Sequence, residues 1–132
     1  MIRHFFVAVL AVALTASAAA GENAAGDALG RITPGQWQVR ERGATPPPVM
    51  MCVRDAQGLA RLRHAGALCR SFVVENTLRR ATVHYECPGK GYGQTTLRVE
   101  STGVARLDSQ GVERGVPFAF TAEARRLGPC PD

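Results

Sequence analysis

The sequence has little lysine, few aromatics, no long apolar run and no closely spaced cysteines. Each shortage excludes something. Lys90 is the sole lysine among 132 residues, and aromatics make up only 6%. Nucleic-acid surfaces interleave clustered cations with aromatic rings. Here the cations are arginine pairs, Arg40/Arg42, Arg61/Arg63, Arg79/Arg80 and Arg125/Arg126, scattered along the chain. No nucleic-acid partner is expected, and the formal net charge of +5 reads first as a solvated surface. Weak attraction to anionic envelope surfaces is the sharper alternative. No C-x-x-C pair occurs, which removes the thioredoxin-like site and the usual zinc spacings. No apolar stretch approaches the 18 residues or so that a membrane helix needs. At 45% hydrophobic and 20% charged, the chain is neither disordered nor large enough for two domains.

What is present begins with an address. Met1-Ile2-Arg3-His4 is a short basic start, and residues 5–14 (FFVAVLAVAL) are apolar without interruption. Small residues follow, with Ala16-x-Ala18 and Ala18-x-Ala20 both fitting a signal-peptidase site. As a membrane anchor this run is too short, since ten residues rise only about 15 Å, half a bilayer core. Residues 1–20 therefore read as a secretory signal peptide. Residues 21–30, rich in Ala and Gly, read as a flexible leader, and 31–132 as one disulfide-bonded β domain. The destination is the periplasm or the exterior, as a soluble monomer.

Export delivers Cys52, Cys69, Cys87 and Cys130 to an oxidising compartment, where an even set forms bridges. Strand register bears on which pairs form. If residues 70–76 and 80–86 make a hairpin centred on Leu78, Arg70 faces Glu86, Phe72 faces His84, Val73 faces Val83 and Val74 faces Thr82. Opposite charges and matched β-branched residues favour that register. It sets Cys69 against Cys87 and leaves Cys52 for Cys130. A slip of a few residues would leave Cys52–Cys69 with Cys87–Cys130 open.

Alternation carries the rest. Strands are expected over 36–42, with Trp37 and Val39 inward, and over 49–53. Next come the hairpin, then 92–101 with Thr95, Leu97 and Val99 on one face, and a weaker strand over 103–109 ended by Gln110-Gly111. The last covers 117–127, with Phe118, Phe120, Ala122 and Ala124 inward. Asp55 can start one short helix over 56–64. The fold class is mainly β: an antiparallel meander of six to seven strands with that helix, curled into an open or closed barrel.

Several of these residues recur together in one order: Pro34-Gly35-x-Trp37-x-Val39, Cys52-Val53 opening a helix, Cys69, Cys87 before a Gly-rich turn, and the ending Glu123-Ala-Arg125-Arg126-Leu127-Gly128-x-Cys130. The set resembles the bacterial domain of unknown function 3617 family, small exported proteins of proteobacteria, across residues 31–130. Two departures are a short Pro-rich segment after the first strand and Pro129 where an acidic residue is frequent. The resemblance implies location and fold class and carries over no activity.

Little in the sequence points to catalysis. His84 and Glu86, two apart on a strand, share a face and could orient a general base, yet no serine or free cysteine stands at obvious reach. Gly89-Lys90-Gly91-Tyr92-Gly93 lacks phosphate-loop spacing and a following helix, so it reads as a turn. His64 fits the end of the short helix, where a cation complements the dipole. No catalytic residue, metal or cofactor is expected. Trp37, His84 and Tyr85 are the candidate binding residues, and the partner is an unidentified small ligand or envelope protein. A non-catalytic binding module of the cell envelope is the first reading. A structural or stress-protective envelope protein is the second, and a small hydrolase around His84 and Glu86 the third. The signal reading has a direct check: intact mass of the exported product should correspond to a start at Ala19 or Gly21, and an uncleaved membrane-embedded product would refute it.

Overall fold

A computed structural model describes residues 27–43 and 47–132 of the chain. The expected signal peptide, the leader up to residue 26 and part of the Pro-rich turn lie outside the described residues. The strands are β1 (Gly35–Glu41), β2 (Val49–Val53), β3 (Arg70–Asn76), β4 (Arg80–Cys87), β5 (Gly91–Ser101), β6 (Val104–Glu113) and β7 (Val116–Gly128). They form one antiparallel sheet in the order β2-β1-β7-β6-β5-β4-β3. Strands β3 to β7 are the expected meander, and the β1–β2 hairpin joins it by laying β1 along β7. The sheet stays open, with β2 and β3 as its edges. Period-two alternation explains this architecture, because each strand offers one apolar face to a single core.

That core lies on the inner face. Trp37, Val39, Val53, Val83, Leu97, Val99 and Leu107 are buried there with Ala81, Ala122 and Ala124. The short helix does less than expected. It splits into α1 (Gln57–Ala60) and a 3₁₀ turn, Leu62–His64, separated by Arg61 at φ −110° and ψ 35°. The Asp55 carboxylate does accept from the Gly58 N–H at 3.2 Å. A continuous helix would have the Ala60 carbonyl accept from the His64 N–H. The buried Thr95 hydroxyl donates to that carbonyl at 2.6 Å instead, and the His64 N–H turns to the Arg61 carbonyl at 2.9 Å. A single sheet contact ends the helix.

Part of the expected leader is folded. The Ala28 N–H donates to the Thr77 carbonyl at 2.7 Å, the Leu29 N–H donates to Asn76 Oδ1 at 3.3 Å, and Ala28 is fully buried. Residues 27–30 thus belong to the domain, because they close its core beside the β3–β4 turn.

The hairpin register agrees with expectation for Arg70–Glu86, Ser71–Tyr85, Phe72–His84 and Val73–Val83, and then shifts: Glu75, not Val74, faces Thr82. Two constraints conflict here. The Thr77 N–H bonds the Arg80 carbonyl at 2.8 Å, which makes a two-residue loop of Leu78 and Arg79. That loop is one step out of register with the Cys69–Cys87 end. A bulge at Val74 absorbs the step. Strand β6 also runs past the expected turn at Gln110-Gly111. The chain reverses at Arg114-Gly115, with φ of 47° and 80°, the conformation of a tight two-residue hairpin. Gly111 serves close strand approach, since a Cβ there would lie 2.1 Å from the Tyr92 carbonyl oxygen.

Both bridges take the expected pairing. Cys69–Cys87 staples the end of the β3–β4 hairpin, and Cys52–Cys130 joins edge strand β2 to the tail beyond β7. Their separations are 78 residues for Cys52–Cys130 and 18 for Cys69–Cys87. In the chain-entropy view these stabilise by about 4 and about 3 kcal/mol. Non-reducing peptide maps should recover both links. Replacing Cys52 and Cys130 together by Ser should lower unfolding free energy more than replacing Cys69 and Cys87, and the reverse order would contradict the loop-length account.

Candidate binding surface

The three candidate binding residues do not converge. Trp37 is fully buried in the core, its indole N–H donating to the Thr33 carbonyl at 3.0 Å. Adjacent positions on β4 send His84 outward and Tyr85 inward. His84 is half-exposed, with Nε2 3.7 Å from Glu86 Oε1 and its ring 6.4 Å from that of Phe72. Its cross-strand neighbours are Phe72 and Gln94, neither of them a nucleophile. Among the described residues no three His, Cys, Asp or Glu side chains are grouped as a metal site.

Tyr85 meets His64, which the sequence pattern places at the end of the short helix. His64 is buried, with Nδ1 3.0 Å from the Tyr85 hydroxyl and Nε2 3.3 Å from the Lys90 carbonyl. A carbonyl only accepts, so the network assigns the proton to Nε2, and Nδ1 accepts from Tyr85. His64 is thus a satisfied internal link rather than a residue at the exposed end of a helix. The reason is the break at Arg61, which turns the imidazole onto the sheet. Burial, reinforced by the negative charge of Glu113, pushes the Tyr85 hydroxyl up to about 12, against the opposing pull of Arg61 and Arg63. The Gly-rich run now has a steric role. A Cβ on Gly93 would lie 2.5 Å from the Tyr85 hydroxyl oxygen, and one on Gly91 2.9 Å from His64 Nε2. Those glycines make room for the pair.

The outer face collects what the sequence scatters. Antiparallel register aligns Phe72, His84, Gln94, Gln110 and Ala119 in one row across β3 to β7. Further along the strands, Thr82, Thr96, Asp108 and Thr121 form a second row. Arg42 extends it past β1, its N–H donating to the Thr121 carbonyl at 2.9 Å. The third row reads Arg80, Arg98, Arg106, Glu123 and Arg40. These arginines are far apart in sequence, and only the register makes them neighbours. The chain matches no family model, no curated protein and no solved structure.

The Tyr85–His64 link has a pH signature. Relative to an ordinary 10, the raised Tyr85 value means that the folded state prefers the neutral hydroxyl. Its contribution is complete below pH 10 and declines as pH rises toward 12. Tyr85→Phe should cost about 1–3 kcal/mol at pH 7, because His64 Nδ1 loses its donor. Urea denaturation followed by Trp37 fluorescence should show wild type losing about 2–3 kcal/mol relative to Tyr85→Phe between pH 10 and 12, which closes or inverts the gap. Parallel curves for the two proteins would refute the link.

Proposed function

We propose that the protein is a non-catalytic binding module of the cell envelope that takes an extended segment of another envelope protein along the β3 edge. One observation carries the reading: the middle of the edge strand, Phe72–Val74 between Arg70 and Glu75, is apolar and uncovered. Phe72 is 53% exposed, Val73 47% and Val74 64%, and Leu68 and Leu78 are exposed on either side of the strand. Edge strands ordinarily carry charge or cover, since their free N–H and C=O groups invite another strand. A partner strand would satisfy those groups and cover Phe72 and Val73 together, as in β-strand addition. The bulge at Val74 limits regular pairing to the Arg70–Val73 stretch, which favours a short guest. The inner face offers less, because Trp37, Tyr85, Leu97 and Leu107 already fill it.

Envelope location rests on the signal-like start, on the two disulfides and on the resemblance to the domain of unknown function 3617 family. Among the described residues no helix is long and apolar enough to cross a membrane. A photo-crosslinking residue placed at Val74 in living cells should trap one discrete protein, whereas the same probe at Thr121 should trap none. Phe72→Asp should abolish the adduct while leaving the thermal midpoint nearly unchanged. Absence of any adduct from β3 positions would sink the proposal. So would turnover of a defined substrate that is lost in His84→Ala or Glu86→Gln with the fold intact.

A further inference from the structure

The arginine row breaks a local rule of sheet construction. Arg98 on β5 stands directly opposite Arg80 on β4 and Arg106 on β6. Like charges so placed repel and oppose strand pairing. Two of the three have local relief: Glu75 lies 3.6 Å from Arg80, and Glu100 lies 2.8 Å from Arg106. Arg98, at the centre, has no ion-pair partner among the described residues. Arg42 also has none there. Between them the outer face forms a groove of about 230 Å³ lined by Arg42, Arg98, Arg106, Asp108, Thr121 and Glu123.

Charge bookkeeping in this groove defines its complement. Arg106 is neutralised by Glu100, and Glu123 by Arg125 at 2.7 Å. Among the side chains that line the groove, two guanidiniums, Arg42 and Arg98, and one carboxylate, Asp108, remain without an ion pair to a described residue. Asp108 lies beside Thr121 in the register and two positions along β6 from Arg106, on the same face. Two positive charges and one negative charge match a ligand with the opposite pattern. A phosphate monoester carries about −1.5 to −2 charge near neutral pH and presents acceptor oxygens that suit the guanidinium fork. A protonated amine supplies the partner for Asp108. The groove is smaller than the roughly 300 Å³ at which drug-sized pockets begin, so the ligand has few atoms.

We propose that this groove binds a phosphate monoester bearing a protonated amine, with Arg42 and Arg98 taking the phosphate and Asp108 the ammonium. The site is separate from the β3 edge and does not depend on the docking reading. A purely solvated arginine face would attract any anion and would be indifferent to the amine.

That difference is the test. Isothermal titration of the full exported protein at low ionic strength compares O-phosphoethanolamine, inorganic phosphate and ethanolamine. O-phosphoethanolamine should bind about fivefold tighter than phosphate, the gain one exposed ion pair can give. Asp108→Asn should remove that preference while leaving phosphate binding unchanged or tighter, since it takes away the ammonium partner and a negative charge beside the phosphate. Arg98→Gln should weaken both phosphate ligands, and Arg98→Lys should restore part of the loss. Urea midpoints read by Trp37 verify that each variant is folded. The proposal is overturned if wild type binds neither phosphate compound, if Asp108→Asn keeps the preference, or if Arg98→Gln changes nothing. Capture by vesicles carrying the ethanolamine phosphodiester headgroup, without binding of the soluble monoester, would overturn it as well.

Discussion

The hydroxyl of Thr95 holds the architecture together at one point. It is fully buried between the Ala60 carbonyl at 2.6 Å and Ser109 Oγ at 2.7 Å. The carbonyl can only accept, so Thr95 donates to it and receives the proton of Ser109. This three-member chain pins the 57–64 segment to β5 and β6. It sets Leu59 and Ala60 into the core, stops α1 after one turn and swings His64 toward Tyr85. An open sheet with one apolar face needs a lid. Here the lid is too short to stand as a helix by itself, and the sheet supplies the hydrogen bonds that hold it. Arg63 adds a surface clamp, ion-paired to Glu41 with its guanidinium 4.3 Å above the Phe120 ring centre.

What was legible in the sequence follows from what period-two alternation encodes. Inward positions on β5 and β7, the extent of β2 and the first four pairs of the β3–β4 hairpin all depend on neighbours a few residues away. The shift at Val74 does not. It arises from incompatibility between a two-residue loop at one end and a disulfide at the other, and no local pattern announces that. Gly111 misled for a related reason. Gln-Gly resembles a turn, but close approach to Tyr92 needs the same residue type, and only the paired strand distinguishes them. Arg114-Gly115 carries no strong turn signal, because arginine is an uncommon occupant of a positive-φ position.

The site was less legible than the fold. His84 lies on the outward face that alternation predicts, but Tyr85, expected beside it as a binding residue, points into the core, as adjacent strand residues must. A continuous helix over 56–64 would leave His64 at its end, away from Tyr85. The true position of His64 depends on Thr95, 31 residues further along the chain. The outer rows were hidden more completely. Arg40, Arg80, Arg98 and Arg106 stand at unrelated spacings in the sequence, and only five successive antiparallel strands bring them onto one line with Glu123.

That line has a consequence for how the fold and its surface relate. Threonine, common on exposed strand faces, would stabilise the Arg98 position without repelling Arg80 or Arg106. The neighbouring row shows such an arrangement, with Thr82 and Thr96 hydroxyls bonded at 3.1 Å. Two adjacent rows of one sheet thus follow opposite logic, one optimised for pairing and one frustrated. Local rules in folded proteins are broken most often where function asks for it. The relief given to Arg80 and Arg106 makes the contrast sharper: the bulge at Val74 turns Glu75 to the outer face beside Arg80, and Glu100, two positions along β5 from Arg98, reaches across to Arg106. Glu100 is committed to Arg106, and Arg98 has no ion-pair partner of its own among the described residues. The uncompensated charge sits in the middle of the arginine row, where a ligand rather than the chain itself can complete it.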